Sequence, residues 1–163
     1  MAGEHLGRSR GGLSSKIHLA VDGRGLPMSV VLTPGQAGDN PQLLPLLEKI
    51  RVRRQGVGRP RCRPESVIAD KAYSHPSTRQ AMRRRGVRFT SPEKSDQAAR
   101  RRAKGARGGR PPAFDREEYA RRNVVERAFA RLKQFRDLAT RYAKRAAYYV
   151  AELTLAAIVL WLR

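Results

Sequence analysis

The first third of the chain changes its hydrophobic period once, from two residues to that of a helix. Ile17, Leu19 and Val21 alternate with polar or small residues, which puts them on one face of a strand. Asp22-Gly23-Arg24-Gly25 is a turn sequence, and the apolar run 28–32 predicts a second strand, giving a hairpin over 15–33 that Pro34-Gly35 ends. Asn40-Pro41 then opens a helix with Leu43, Leu44, Leu47 and Ile50 on its buried side and Pro45 disturbing its first turn. Beyond a basic loop at 56–64, residues 66–69 predict a short apolar strand that delivers Asp70 to its carboxyl end. Residues 76–85 predict a short helix closed by Gly86, and 87–90 a further strand.

Residues 93–113 hold many arginines and few apolar residues beyond alanine, and read as a mobile basic loop able to order on a polyanion. Asp115 and Glu118 have capping-box spacing and open a helix expected to run to about residue 136. A last helix is expected at about 144–162. Strands alternating with helices after an antiparallel hairpin predict an α/β domain over 15–163. Residues 1–14, rich in Gly, Arg and Ser without a strand pattern, are expected to be a flexible basic terminus.

Along the 115–136 helix, Tyr119, Arg122, Glu126 and Lys133 fall on one stripe roughly 60° wide. Val124, Val125, Ala128, Phe129, Leu132 and Phe135 fill the neighbouring arc and can bury that side. One carboxylate is thus expected on a rigid face beside two cations and a phenol.

Charge narrows the partner. Lys and Arg total 35 against 14 Asp and Glu, a net charge of +21. Such an excess points to a polyanion, by default nucleic acid. A lone Cys62 excludes an intrachain disulfide and fits a reducing cytoplasm. The N-terminal residues lack the apolar core of a signal peptide, and the apolar run 153–162 is too short to span a bilayer.

Asp70 and Glu126 are the two carboxylates to place together, because carboxylates joined by a third can hold a pair of Mg²⁺ ions at a phosphodiester. On spacing alone, Asp70 serves equally as a helix cap and Glu126 as an i,i+4 ion pair with Arg122. Asp22 is explained by the hairpin turn and Asp39 by the helix start.

The spacing of Tyr, two residues, Arg, three residues, Glu, six residues and Lys is that of a subgroup of bacterial insertion-sequence transposases of the DDE class, and Tyr119, Arg122, Glu126 and Lys133 match it without a gap. Ile68-Ala69-Asp70-Lys71-Ala72-Tyr73 resembles the family's segment with the second catalytic Asp, and 16–22 and 33–39 are similar to its strands and loops. The resemblance covers about 8–163 and implies the C-terminal part of a ribonuclease-H-like catalytic domain, a mixed sheet flanked by helices. It implies Asp70 and Glu126 as catalytic metal ligands for two Mg²⁺ (or Mn²⁺) ions, acting in cleavage of DNA strands and their transfer to target DNA. Tyr119, Arg122 and Lys133 are similar to residues that contact DNA near the scissile phosphate, while Arg127, Arg131 and Arg136 extend a phosphate-tracking surface. The implied location is the bacterial cytoplasm, at the nucleoid.

The family's first catalytic Asp lies on a strand before the one at 15–22. Residues 1–13 show no such strand, so the resemblance implies a domain lacking its first central strand and one of three ligands. Exposed inner strand edges then favour association with an upstream transposase fragment or a second copy. An alternative is a catalytically inactive, truncated DNA-binding protein that regulates or inhibits transposition.

Overall fold

The computed structural model describes residues 4–163. The protein is mixed α/β, and its chain divides into two compact units, one taking the chain up to Cys62 and again from Asn123 to Arg163, the other spanning Arg63–Arg122.

In the first unit the predicted hairpin is formed by β2 (Gly12–Val21) and β3 (Pro27–Pro34), antiparallel, with Ser15 opposite Pro34 and Val21 opposite Pro27. Asp22 builds the turn: its Oδ1 accepts from the N–H groups of Arg24 and Leu26, both at 2.9 Å. Burial alone would raise the Asp22 pKa, but the backbone donors of Leu26 and Arg24 and the Arg24 guanidinium hold it below the usual carboxylate range. Gly25 sits at φ +83°, and a Cβ there would lie 2.7 Å from Arg131 Nη2, so the turn requires glycine.

The run 1–14 does not keep its expected lack of strand. Residues 1–3 lie outside the described residues, but β1 (Gly7–Ser9) pairs antiparallel with Gly12, Leu13 and Ser14, giving a sheet of order β1-β2-β3. The local cause is the turn at Gly11-Gly12, where Gly12 takes φ +103° and Ser9 Oγ donates to the Gly12 carbonyl at 2.9 Å. Beyond Ser14 that edge of β2 has no strand partner among the described residues.

A 3₁₀ turn at Asn40–Gln42 leads into α1 (Leu43–Glu48), the irregular start expected from its prolines. Asp39 does not cap it; its carboxylate pairs with Lys16 Nζ at 2.8 Å. Leu43, Leu46 and Leu47 are buried, and Ser29 Oγ ties α1 to β3 by donating to the Leu46 carbonyl at 2.8 Å.

The expected single helix over 115–136 is broken. Its parts are α4 (Arg116–Ala120), α5 (Asn123–Leu132) and α6 (Arg136–Thr140). Arg121 and Arg122 donate to carbonyls three residues back, the tightened geometry of a helix end. Asn123 follows, a residue whose side chain competes with helical backbone bonding. After α5, Gln134 and Phe135 close with the same short bonds before α6.

The last helix, α7 (Ala146–Leu162), closes the first unit. Leu32 of β3, Leu132 of α5, Leu138 of α6 and Tyr149, Leu153, Ala156 and Leu160 of α7 form its core, flanked by Ile17, Leu19, Val30 and Phe135. Ala128 and Leu132 are the buried residues of the arc predicted for α5; the others are half-buried. Polar contacts pin the same packing: Tyr149 Oη donates to the Leu138 carbonyl at 3.0 Å and Trp161 Nε1 to that of Pro27 at 2.7 Å. Glu4 Oε2 accepts from the Ala146 N–H at 2.6 Å, capping α7 from the other end of the chain.

The second unit contains β4 (Ser66–Ile68), α2 (Pro76–Arg84) and β5 (Arg88–Thr90), with β4 and β5 parallel. This is the strand–helix–strand order that parallel pairing demands. Residues 93–113 depart from the expected loop: they hold α3 (Ser95–Ala103) and a 3₁₀ turn at Gly105–Gly108. Glu93 explains the difference, because it grips Arg101 through two bonds of 3.1 and 2.8 Å and clamps the helix to its own entry. That Arg101 hydrogen bond holds the Glu93 carboxyl below its usual range.

Leu153 is 3% exposed at the centre of the first unit. Leu153→Ala is expected to cost about 2–5 kcal/mol, read as a lowered midpoint in urea denaturation. His18, 2% exposed with Nε2 2.8 Å from Thr33 Oγ1, is held neutral: burial lowers its pKa, Asp39 opposes this and Lys16 adds to it. The unfolded chain therefore binds this proton more readily than the folded one. Stability is expected to be full above pH about 6.5, the ordinary histidine value, and to fall as pH drops below it. Replacing His18 with Gln should flatten that part of the stability–pH curve; an unchanged curve would refute the assignment.

Candidate metal-ligand and nucleic-acid residues

Asp70 stands where the sequence puts it, at the carboxyl end of β4, two residues past Ile68. The Ala69 N–H donates to the Thr90 carbonyl at 2.9 Å, and Ser91 Oγ donates to the Asp70 carbonyl at 3.0 Å, so the strand end is fixed against β5. The Asp70 side chain is exposed, and its Oδ1 accepts from the Lys71 N–H, capping the 3₁₀ turn Lys71–Tyr73. Capping and ligation are compatible, since a carboxylate carries two oxygens.

Glu126 lies in the first turn of α5 and is exposed. A helix N-terminus favours a carboxylate there through its dipole. Ala128 and Leu132, buried on the same helix, fix which way α5 turns its polar side.

Tyr119 and Arg122 belong to the second unit, with Asp70; Glu126 and Lys133 belong to the first. The structure brings Tyr119 and Arg122 together, the guanidinium lying 5.6 Å from the ring centroid, and Phe114 packs on the same ring at 5.2 Å. The continuous four-residue stripe expected from helical spacing is interrupted by the turn at Arg121 and Arg122. Lys133, Arg127 and Arg136 are exposed. Arg131 is half-buried, its Nη2 donating to the Gly25 carbonyl at 2.8 Å, so it braces the hairpin turn.

The donor chemistry at Asp70 and Glu126 is that of a hard cation, which takes carboxylate oxygens and keeps water in its other positions. Among the described residues no group of three or more His, Cys, Asp or Glu side chains is gathered as a metal cage. Acids elsewhere serve the fold: Asp22 in its turn, Asp39 with Lys16, Glu4 at α7, just as Asp70 caps its own 3₁₀ turn.

Sequence reading missed several roles. His75 Nδ1 caps α2, 3.3 Å from the Ser77 N–H and 2.7 Å from Ser77 Oγ; its place just before Pro76 is the N-cap signal that identifies it. Asp115 caps α4 by accepting from the Glu118 N–H at 2.9 Å, as expected, but Glu118 does not reach back to complete the box. Its carboxylate takes the Thr90 hydroxyl instead, fastening α4 to β5. No sequence spacing encodes that contact. Among the described residues no helix is long and apolar enough to cross a membrane.

Comparison with known proteins supplies the family. Residues 3–162 match the family described as the transposase DDE domain. The chain is 36% identical over 141 residues to a Burkholderia cepacia protein assigned as the transposase of insertion sequence element IS402, covering 86% of this chain and 59% of that protein's length. It is 30% identical over 151 residues to a Brucella ovis protein assigned as the transposase of element IS6501, covering 93% of this chain and 100% of that one. No solved structure matches the chain. A match across nearly every residue, carried by relatives of the same kind, means that this chain belongs to the DDE-domain transposases of bacterial insertion sequences.

Proposed function

We propose that this chain is the C-terminal part of a ribonuclease-H-like transposase domain that lacks its first central strand and takes part in cutting and rejoining DNA. The observation that carries the reading is Asp70: an exposed carboxylate at the carboxyl end of a parallel strand, the usual exit for functional groups in open α/β sheets. Asp70 and Glu126 are the two residues that would hold Mg²⁺ or Mn²⁺, and two such ions would neutralise charge on the attacking and leaving oxygens of a phosphodiester. The chain's own groups bind and orient the DNA. Lys133, Arg127 and Arg136 offer exposed cations to phosphates, and Arg122 keeps Tyr119 in place through its ring.

The open edge of β2 beyond Ser14 supports a missing strand, supplied by an upstream transposase fragment or by a second copy. The third metal ligand would arrive on that strand. The protein is then inactive alone and acts at the nucleoid in a larger assembly on element ends and target DNA. The alternative, a truncated DNA-binding protein that inhibits transposition, shares the cationic surface and differs in having no use for Asp70.

Residues 1–163 alone are expected to give no strand cleavage at the element's ends with Mg²⁺; robust cleavage would overturn the proposal. When the upstream part is supplied, Asp70→Ala and Glu126→Ala should each lower cleavage by roughly 10²–10³-fold, the scale of losing a group that stabilises transition-state charge, with DNA binding retained. Under the inhibitor reading neither substitution changes any measured property of the complex.

A further inference from the structure

The unit Arg63–Arg122 encloses a cleft of about 1420 Å³ that Asp70 does not line. Small-molecule pockets run to about 300–1,000 Å³, so this one suits a stretch of polymer. Its walls come from α2, β5, α3 and the segment that follows α3.

Several lining charges cancel within the walls. Glu93 is held by Arg101 at 2.8 Å and Asp96 by Arg100 at 3.4 Å, while Asp115 and Glu118 are committed to α4 and Thr90. Arg79 directs its guanidinium to the carbonyls of Ser74 and Ser91. What remains is one-sided. Arg83, Arg88, Lys104, Arg110 and Arg121 line the cleft, are exposed, and pair with no carboxylate among the described residues; Glu117 is the one exposed lining acid without such a commitment.

The lining also tells which part of a polyanion is held. Phe89 has the Arg79 guanidinium over its ring at 5.6 Å, and the His75 ring is tied by Nδ1 to Ser77 at the start of α2. A cleft whose lining is dominated by exposed cations, with its rings engaged by neighbouring side chains, favours phosphates over base edges.

We propose that this cleft holds the sugar–phosphate backbone of DNA, as a contact surface additional to Arg127, Lys133 and Arg136. The inference rests on the reading of the chain as a DNA-acting transposase part. It gives residues 63–122 an anchoring role that is independent of strand chemistry and indifferent to sequence.

The test is fluorescence anisotropy of the whole chain on labelled duplexes across a salt series, one duplex with an element end and one of random sequence. Arg83→Gln, Lys104→Gln and Arg110→Gln combined should lower the slope of log K against log salt by about 2–3, at roughly 0.9 for each phosphate no longer neutralised, and weaken both duplexes equally. A control carrying the same loss of charge at Lys144, Arg145 and Arg163 should keep the wild-type slope. All six side chains are exposed, and unaltered thermal melting confirms the fold of each variant. An unchanged slope in the cleft variant, or an equal fall in the control, overturns the cleft proposal while DNA binding itself stands. Absence of salt-dependent binding by the wild-type chain instead removes the functional reading and the cleft with it.

Discussion

The first unit exists because its hairpin is covered by helices that arrive much later in the chain. β2 and β3 present Ile17, Leu19, Val30 and Leu32 to one side, and a two-stranded hairpin is not independently stable in water. Leu132, Leu138, Tyr149, Leu153 and Leu160 supply the cover. Three polar links secure the closure, Arg131 to Gly25, Trp161 to Pro27 and Glu4 to Ala146. Each spans more than a hundred residues of sequence, so loop-closure entropy opposes it and the burial of apolar surface must exceed that cost. The position of Glu126 depends on this packing, because Ala128 and Leu132 hold α5 by its apolar side.

The second organising force is the local cancellation of charge. With 35 basic and 14 acidic residues, self-repulsion opposes a compact state. Many described acids are accordingly placed against nearby donors: Asp22 in its turn, Asp39 on Lys16, Glu93 on Arg101, Asp115 on a helix N-terminus. Even exposed Asp70 is used locally, its Oδ1 accepting from the Lys71 N–H. The same pattern leaves arginine as the outward-facing residue over much of the surface.

The hairpin, α2, α7 and the β4 and β5 strands were legible because their period, caps and turn residues agree locally. Asp22-Gly23-Arg24-Gly25 names its own turn, and Pro76 with Gly86 brackets α2. What escaped was decided by partners distant in sequence or by glycine geometry. α3 looks like loop because its apolar content is low, yet the Glu93–Arg101 clamp makes it helical. β1 has no alternating pattern and forms through the turn at Gly11-Gly12. The break between α4 and α5 hides inside a perfect helical spacing, because Arg121, Arg122 and Asn123 carry no Gly or Pro to mark it. For the candidate residues, the place of Asp70 after β4 and of Glu126 on a helix was readable from local pattern, whereas the bracing role of Arg131 depends on Gly25, far away in sequence.

The discontinuity of the first unit also orders events at the ribosome. Residues 63–122 form a continuous stretch and emerge complete. The hairpin emerges earlier, but the Trp161–Pro27 bond joins residues 134 apart. At roughly 5–20 residues per second, synthesis leaves the apolar face of β2 and β3 uncovered for on the order of ten seconds. During that interval the nascent hairpin is a target for chaperones or for pairing with another nascent chain, and the arrival of α7 is the event that ends it.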